Sequence, residues 1–264
     1  MAFVDCDMKQ DKGTCPGIFI TFEGGEGAGK STHIHFLAEA LEDHGYEVLC
    51  LREPGGTSLG EDLRALVLDP SNDALSDEAE LLIYEAARAQ IVSEVIAPAL
   101  QRGAVVLCDR FSDSTVAYQV YGRGLDRVFV QAANAFASQG IEPTRTILMR
   151  VDAPADEGLE RATHHGEADR LELAGSDFHA RVNEGFLRIA AENPDRVRIV
   201  VSAEKKSETA RAVFVALGDI FPWMSDEDVV TQSFFEKIEQ GYYGNKKSRD
   251  ERARDCVETV VTYG

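Results

Sequence analysis

A run of eight residues, 24–31, combines the chemical groups that hold a polyphosphate. Its sequence is Gly-Gly-Glu-Gly-Ala-Gly-Lys-Ser, which fits the pattern G-x-x-x-x-G-K-[ST]. Glycines let the backbone turn and direct its N–H groups at phosphate oxygens. The ammonium group of Lys30 would reach the β- and γ-phosphates, and the hydroxyl group of Ser31 would contact Mg²⁺.

The residues on either side of this run support that chemistry. A strand-like stretch, 18–22, precedes it and a helix-like stretch, 32–44, follows it, so the positive end of a helix dipole would face the bound phosphates. A glycine-rich turn without a ligand is the simpler alternative, but it does not explain why strand, motif and helix are in register. We therefore predict a nucleoside triphosphate site formed by Gly24, Gly25, Glu26, Gly27, Ala28, Gly29, Lys30, Ser31 and Thr32.

Further charged residues follow two other predicted strands. Asp109 and Arg110 come directly after an apolar stretch, 104–108, and Glu53 lies in a turn that follows the stretch 47–51. Because the carboxyl ends of parallel strands meet at one edge of a sheet, these groups are expected to face residues 24–31, the phosphate loop. Asp109 is then a candidate Mg²⁺ ligand together with Ser31. The alternative is that Asp109 and Arg110 form a surface ion pair.

Two other patterns fit a second ligand without requiring one. Tyr84 and Arg88 are four residues apart on a predicted helix and share a face, so one could stack on a base while the other hydrogen-bonds to it. A core tyrosine and a solvated arginine fit that spacing equally well. The segment 161–170 has Arg161 and Arg170 at its ends and could close over a transferring phosphate. The alternative is a solvated, charged loop.

The order of the predicted elements indicates an α/β domain. Strands at about 17–23, 47–51, 104–108, 146–151 and 197–201 alternate with helices, which predicts a five-stranded parallel sheet flanked by helices. We predict a flexible leader at 1–16, a phosphate-loop domain at 17–220 with a lid at about 160–172, and a carboxyl-terminal appendage at 221–264. Aromatic residues of the appendage could pack against the core or a second subunit, and a partly ordered tail is the alternative.

The amino-acid composition of the chain limits the kinds of molecule that it is expected to bind. The net charge is −19 over 264 residues and the basic cluster at 246–249 is flanked by acids, so nucleic acid is not expected as a partner. No apolar run approaches the length of a membrane span, and no secretory signal is expected, so the predicted location is cytoplasmic. The five cysteines lack metal-ligand spacing, and their odd number argues against a disulfide framework.

Taken together, these motifs make the chain resemble the bacterial thymidylate kinase family. The resemblance rests on the segments 22–31, 52–57, 87–90, 109–110, 114–119, 122–124 and 169–170. It covers residues 17–217 in unbroken order. It implies the fold of the phosphate-loop nucleoside monophosphate kinases and the transfer of the γ-phosphate of ATP to dTMP with Mg²⁺.

The resemblance also implies roles for individual residues. The catalytic residues would be Lys30, Glu53, Arg110, Arg161 and Arg170. The residues that bind dTMP would be Glu53, Arg64, Tyr84, Arg88, Arg110, Thr115, Tyr118 and Gln119. Within that set, Tyr84 would stack on thymine, Arg88 would hydrogen-bond to a base carbonyl, Thr115 and Gln119 would read the base edge, and Tyr118 would favour deoxyribose by crowding the sugar.

The phosphate loop contains no arginine, which corresponds to the form of the family whose arginines lie in the lid. That form often has a further arginine where this chain has His164 and His165.

Two other functions remain open from the sequence. A kinase for another nucleoside monophosphate or for a deoxynucleoside is the first, although the residues assigned to the base favour a pyrimidine. A phosphate-loop ATPase that acts through partner proteins is the second, although the cations favour a second anionic ligand. Since the family is typically homodimeric, the expected partners are ATP, dTMP and a second copy of the chain, with neither nucleic acid nor a membrane.

Overall fold

A five-stranded, fully parallel sheet forms the centre of the protein. The computed structural model describes residues 16–151, 169–225 and 232–239. The sheet has the strand order β2-β3-β1-β4-β5, and the predicted five-stranded parallel sheet is confirmed. Its strands are β1 (Ile18–Glu23), β2 (Val48–Arg52), β3 (Val105–Asp109), β4 (Arg145–Arg150) and β5 (Val197–Val201).

Helices cover both faces of this sheet. Residues 1–15 of the predicted leader, 160–168 of the predicted lid, and 226–231 and 240–264 of the predicted appendage lie outside the described residues. Across the ranges that are described, no helix is long and apolar enough to cross a membrane. The α-helices of these ranges are α1 (Lys30–Asp43), α2 (Ser58–Leu68), α3 (Asp77–Ile91), α4 (Ala97–Gln101), α5 (Ser112–Thr115), α6 (Arg127–Ala137), α7 (Ser176–Glu192), α8 (Lys206–Leu217) and α9 (Gln232–Glu239).

Side-chain caps fix where three of these helices begin. The hydroxyl oxygen of Thr57 accepts from the backbone N–H of Gly60 (2.9 Å), and that of Ser76 accepts from Ala79 (3.2 Å). Asp126 caps α6 in the same way. Each cap satisfies an otherwise unpaired N–H and stabilises its helix by about 1 kcal/mol. The caps of α2 and α3 thereby set the register of Arg64, Tyr84 and Arg88.

Two helical stretches widen into π-helix. The first, Val92–Ile96, lies between α3 and α4, close to Pro98. Proline has no N–H and cannot donate to the carbonyl group four residues earlier, which disturbs the helix at that point. The second, Val116–Gly122, follows α5 and carries Tyr118 and Gln119. Such widened turns are frequent at functional sites.

The core lies on both sides of the sheet because the strand side chains alternate. Ile20 and Phe22 of β1 face a cluster that includes residues of α1, α8 and α9. Phe19 points to the opposite face, where it packs edge-on against Phe111 at 4.9 Å. That second face is covered by α3, α6, α7 and the π-helical turns. With both faces covered, the strands read as almost continuously apolar.

The segment after α8 packs onto the same core. Phe235 and Ile238 of α9 are buried in the cluster that contains Phe214 of α8, and the guanidinium of Arg211 lies 3.9 Å from the centre of the Phe235 ring. Trp223, which precedes α9, contributes its ring to the same cluster and stacks on His44 at 3.6 Å. Within the described residues, the aromatic side chains after 220 therefore contact the phosphate-loop domain of their own chain.

Replacing Phe235 tests whether α9 stabilises the domain. We expect Phe235→Ala to lower the free energy of unfolding by about 3 kcal/mol, because it leaves a cavity among buried rings. Urea unfolding measures this, with the exposed neighbour Glu236→Ala as the matched control. If both variants unfold at the same urea concentration as the unchanged protein, α9 is not docked in solution.

Candidate active site

The phosphate loop connects the carboxyl end of β1 to the first turn of α1. Gly24 has a φ of 129°, and a Cβ there would lie 2.1 Å from the carbonyl oxygen of Met149. Glycine is therefore required at this position, because any side chain would collide with the backbone of β4. Gly29, with a φ of 87°, ends the loop directly before Lys30. The loop and its flanking elements lie where the sequence predicts them.

Lys30 is buried and faces the inside of the loop. Its ammonium group donates to the carbonyl oxygens of Gly24 (3.1 Å) and Gly25 (2.9 Å). Burial lowers the pKa of Lys30, and Arg110 lowers it further, while Asp109 and Glu26 oppose the shift. The ammonium group is thus held at the loop by neutral acceptors, which phosphate oxygens can replace.

Ser31 and Asp109 meet although they are far apart in the sequence. The hydroxyl group of Ser31 donates to Oδ2 of Asp109 at 2.6 Å, because the pairing of β1 with β3 places the end of β3 beside the loop. Two oxygen ligands plus phosphates and water suit Mg²⁺, which keeps much of its hydration in phosphate sites. The described residues contain no cluster of three or more His, Cys, Asp or Glu side chains that could hold a metal without such help.

Arg110 joins the phosphate loop to the neighbouring cavity. Its guanidinium donates to the carbonyl oxygen of Gly24 (3.0 Å), to Ser114 (3.2 Å) and to Oε1 of Glu26 (2.5 Å). The same guanidinium lies 5.2 Å from the centre of the Tyr118 ring. Arg110 has a φ of 70°, a strained conformation for a residue with a side chain. Strain of this kind persists only where surrounding contacts enforce it.

Glu26 lies between the loop and the cavity. Its Oε1 accepts from Arg110 and from the hydroxyl group of Tyr118 (2.9 Å). Burial alone would raise the pKa of Glu26, but the charges of Arg110 and Lys30 outweigh it and hold the pKa at about 2. The carboxylate is therefore ionised at neutral pH. We predicted Glu26 as part of the triphosphate site, and the structure places its side chain on the wall of the cavity as well.

A cavity opens beside the phosphate loop, and its empty space, including the part open to solvent, is about 570 Å³. The eight residues that the resemblance assigns to dTMP all line it. The lining also contains Glu26 and Asp169, and the apolar side chains of Leu68 and Phe111. The eight are Glu53, Arg64, Tyr84, Arg88, Arg110, Thr115, Tyr118 and Gln119.

Arg88 is held rigidly in the wall of this cavity by four polar side chains. Its Nε donates to Oε2 of Glu53 (2.9 Å), and one terminal nitrogen contacts Glu85 (2.9 Å), Thr115 (2.9 Å) and Asn134 (2.6 Å). Its side chain is 2% exposed. Burial lowers the pKa of Arg88, but the two carboxylates outweigh it and raise the pKa above its ordinary value. A ligand would meet this guanidinium in a fixed orientation.

Two buried polar atoms of the lining have no hydrogen-bond partner among the described residues. They are Oε1 of Glu53 and the hydroxyl group of Tyr84. Burial raises the pKa of Glu53 to about 7, against the opposing effect of Arg88, and burial also raises the pKa of Tyr84. Because an unpaired buried polar group costs free energy, two of them in one cavity indicate that a ligand completes the site.

The predicted lid arginines are only partly described. Arg161, His164 and His165 lie outside the described residues. The structure does not place Arg170 in the lining of the cavity. Instead its guanidinium pairs with Glu80 and donates to the carbonyl oxygen of Val67 (2.9 Å).

Several polar residues of the site were missed by the sequence analysis. Glu85 and Asn134 hold Arg88, and Glu80 binds Gln119 and Arg170. The helical spacing could have identified one of these residues. Glu80 is four residues before Tyr84, so the two share a face of the helix. No local pattern identifies Asn134, which reaches the site from α6.

Glu23 ends β1 and is buried beside the start of the phosphate loop. It accepts from the backbone N–H of Phe111 (2.8 Å) and from the hydroxyl group of Ser114 (2.5 Å). Burial raises its pKa to about 8, and the nearby carboxylate of Asp113 acts in the same direction, while Ser114 and Arg110 oppose it. Burial therefore favours the protonated, neutral form of Glu23.

We expect the Glu23 contribution to stability to decline as the pH rises. The folded pKa of about 8 lies above the ordinary value of 4.5, so the folded state binds the proton more tightly. That stabilisation is complete below about pH 4.5 and is lost towards pH 8, by at most about 1.4 kcal/mol per pH unit. Urea unfolding at pH 6, 7 and 8 will detect it as a changing difference in unfolding free energy between the unchanged protein and Glu23→Gln. A difference that stays constant with pH would contradict the assignment.

Known proteins are similar to this chain in sequence and in fold. The family model described as thymidylate kinase matches residues 22–213. The thymidylate kinase of Trichlorobacter lovleyi is 46% identical over 202 residues, which cover 74% of this chain and 94% of that protein. The thymidylate kinase of Geobacter sulfurreducens is 47% identical over 203 residues, covering 75% and 94% of the two chains.

A solved structure agrees with these relatives. The crystal structure of thymidylate kinase from Ehrlichia chaffeensis superposes with a TM-score of 0.62 at 34% sequence identity, covering 78% of this chain and 98% of that one. The family match spans well over half of the chain and includes the phosphate loop and the residues that line the cavity. The chain belongs to the thymidylate kinase family.

Proposed function

We infer that the protein phosphorylates dTMP to dTDP with ATP, the reaction of the family to which the chain belongs. The observation that supports the proposed site is the cavity beside the phosphate loop. Two buried polar atoms of its lining residues have no hydrogen-bond partner among the described residues. The phosphate loop would bind ATP, and the cavity would bind the acceptor. Arg110 contacts both places and would lie at the point of transfer.

The lining of the cavity suits a nucleotide with one phosphate group and a pyrimidine base. Arg64 is half-buried, donates to the carbonyl oxygen of Pro54 (2.9 Å) and carries further N–H groups for an acceptor phosphate. Tyr84 would provide the ring that stacks on the base, Arg88 would donate to a base carbonyl, and Thr115 and Gln119 would contact the base edge. Tyr118, held by Glu26, would limit the space at the sugar.

The chemical problem in phosphoryl transfer is the approach of two anions. Lys30, Arg64 and Arg110 would offset the repulsion and hold the reacting oxygens in line, which provides most of the catalysis in reactions of this type. Mg²⁺ held by Ser31 and Asp109 would supply further neutralisation of phosphate charge. The acceptor phosphate is already an anionic nucleophile, so no general base is needed. Glu53 would keep Arg88 and the acceptor site in place. The roles of Arg161 and Arg170 in the lid stay predictions.

We also propose that the protein acts as a homodimer through one face of α6. Val128, Phe129, Ala132 and Phe136 are exposed on this helix, and their spacing places them on one side of it. Phe136 is 87% exposed, and Leu82 on the adjacent α3 is also exposed. A contiguous apolar surface of this kind marks a protein interface. A second copy of the chain is the occupant that the family resemblance indicates.

A cytoplasmic location stays a prediction from the sequence.

An acceptor panel tests the proposed activity. With ATP and Mg²⁺, we expect diphosphate formation from dTMP to exceed that from dCMP, GMP and AMP by at least ~100-fold in kcat/KM, because a site built for one base edge leaves polar groups unpaired with another. A coupled assay of ADP formation measures this. Preferred turnover of a purine nucleotide would overturn the pyrimidine assignment, and ATP hydrolysis without any acceptor would favour an ATPase.

Arg64→Ala tests the acceptor phosphate site in the same assay. We expect kcat/KM for dTMP to fall by about 10²–10³-fold, because one cation acting on the transferring phosphate has roughly that effect, while the KM for ATP stays within about twofold. Arg52→Ala is the matched control, since Arg52 is half-exposed and pairs with Glu61 at the surface. An equal loss with both variants would show that the effect is not specific to Arg64.

Replacing Phe136 tests the proposed dimer. We expect Phe136→Glu to convert a dimer into a monomer in sedimentation experiments, because it places a charge in an apolar interface. Val215→Glu, a change at a similarly exposed apolar residue on α8, is expected to remain dimeric. A monomeric unchanged protein, or dimers of both variants, would contradict the assignment of this face.

A further inference from the structure

We propose that Glu80 is a positioning residue that selects bases with an N3–H group by fixing the side-chain amide of Gln119. The proposal rests on the proposed function, because it assumes that the base of the acceptor nucleotide enters the cavity. It assigns the choice between thymine or uracil on one side and cytosine on the other to a residue that is absent from the cavity lining.

Glu80 is a buried carboxylate with several donors around it. Its side chain is 0% exposed on α3. Oε1 accepts from Nε2 of Gln119 (2.9 Å) and from Nε of Arg123 (3.2 Å), and Oε2 accepts from the terminal nitrogen of Arg123 (2.9 Å). Arg170 donates to Oε2 as well. The two guanidinium groups surround the carboxylate and allow it to stay charged inside the protein.

The ionised carboxylate determines how the Gln119 amide is oriented. Burial raises the pKa of Glu80, but the bonds from Arg123, Gln119 and Arg170 outweigh it and hold the pKa below its ordinary value. A carboxylate without a proton can only accept hydrogen bonds. Gln119 must therefore present its NH₂ group to Glu80, and its carbonyl oxygen is at the other end of the planar amide. Since Gln119 is otherwise buried and lines the cavity, this oxygen is the end available to a ligand.

A fixed carbonyl oxygen distinguishes the pyrimidines by their hydrogen-bonding groups. Thymine and uracil carry a donor at N3, between two carbonyl groups. Cytosine has an acceptor at N3 and an amino group in place of the O4 acceptor. The Gln119 oxygen can accept from N3–H of thymine or uracil, whereas opposite N3 of cytosine it would face a second acceptor. Arg88, which offers only donors, matches the O4 acceptor and not the amino group.

The experiment compares kcat/KM for dTMP, dUMP and dCMP in the unchanged protein and in Glu80→Gln. A glutamine at position 80 can donate as well as accept. The side-chain amide of Gln119 can then rotate, so that its NH₂ group and its carbonyl oxygen exchange places. We expect the ratio of kcat/KM for dTMP to that for dCMP to fall by at least ~10-fold, with dUMP following dTMP. A loss that is equal for all three acceptors would overturn the proposal, because it would show a structural role only.

Two further variants keep the result specific. Asp77→Asn is the matched control, since Asp77 is on the same helix and contacts the same Arg123 at 3.3 Å, and we expect it to leave the ratio unchanged within about twofold. Glu80→Asp retains an acceptor-only group and is expected to retain the ratio even if turnover falls. A lowered ratio in either of these variants would contradict the proposal.

The design separates the proposal from the proposed function and from misfolding. If the unchanged protein does not phosphorylate dTMP, the proposed function fails before any variant is compared. If Glu80→Gln is unfolded in a thermal scan, the double variant Glu80→Gln with Arg123→Gln removes one cation together with the anion. It is expected to show the same fall in the ratio, and an unchanged ratio in the double variant would overturn the proposal.

Discussion

The site depends on the parallel pairing of β1 with β3. In this register Phe22 lies beside Asp109, and the backbone N–H of Arg110 donates to the carbonyl oxygen of Phe22 at 2.9 Å. The phosphate loop leaves β1 one residue later, so the pairing places Asp109 against Ser31 and Arg110 against Glu26. A shift of one residue would turn each of these side chains to the other face of the sheet.

Balanced charge inside the protein explains how so many cations can be gathered before any ligand binds. Arg88 is paired with Glu53 and Glu85, and Arg110 is paired with Glu26. A buried guanidinium without a carboxylate would be strongly destabilising, and a carboxylate without its cation equally so. The acidic residues thus hold Arg88 and Arg110 in fixed positions in the wall of the cavity. Because the cations and anions of these internal pairs nearly cancel, the pairs account for little of the net charge of −19.

Most of the fold was predictable because its signals are local. The apolar strands and the glycine-rich loop each depend on neighbouring residues, and the observed strand boundaries differ from the predicted ones by about one residue. The set of residues that line the cavity could be named only through the resemblance to a family. The partners that hold these residues were not predictable. Asn134 is 46 residues from Arg88, and Glu80 is 39 residues from Gln119, so no spacing along a single helix brings them together.

The sequence by itself determined the phosphate loop, the order of strands and helices, and the family, because each is encoded in residue types at short, fixed spacings. Only the tertiary structure decided which charges are paired. It turned Glu26 towards Arg110 and Tyr118, enclosed Glu23 and Glu53 so that burial raises the pKa of each, and packed α9 onto the core beside α8. Pairing and burial depend on which elements meet in space, and that is set by the packing of the whole chain around the sheet.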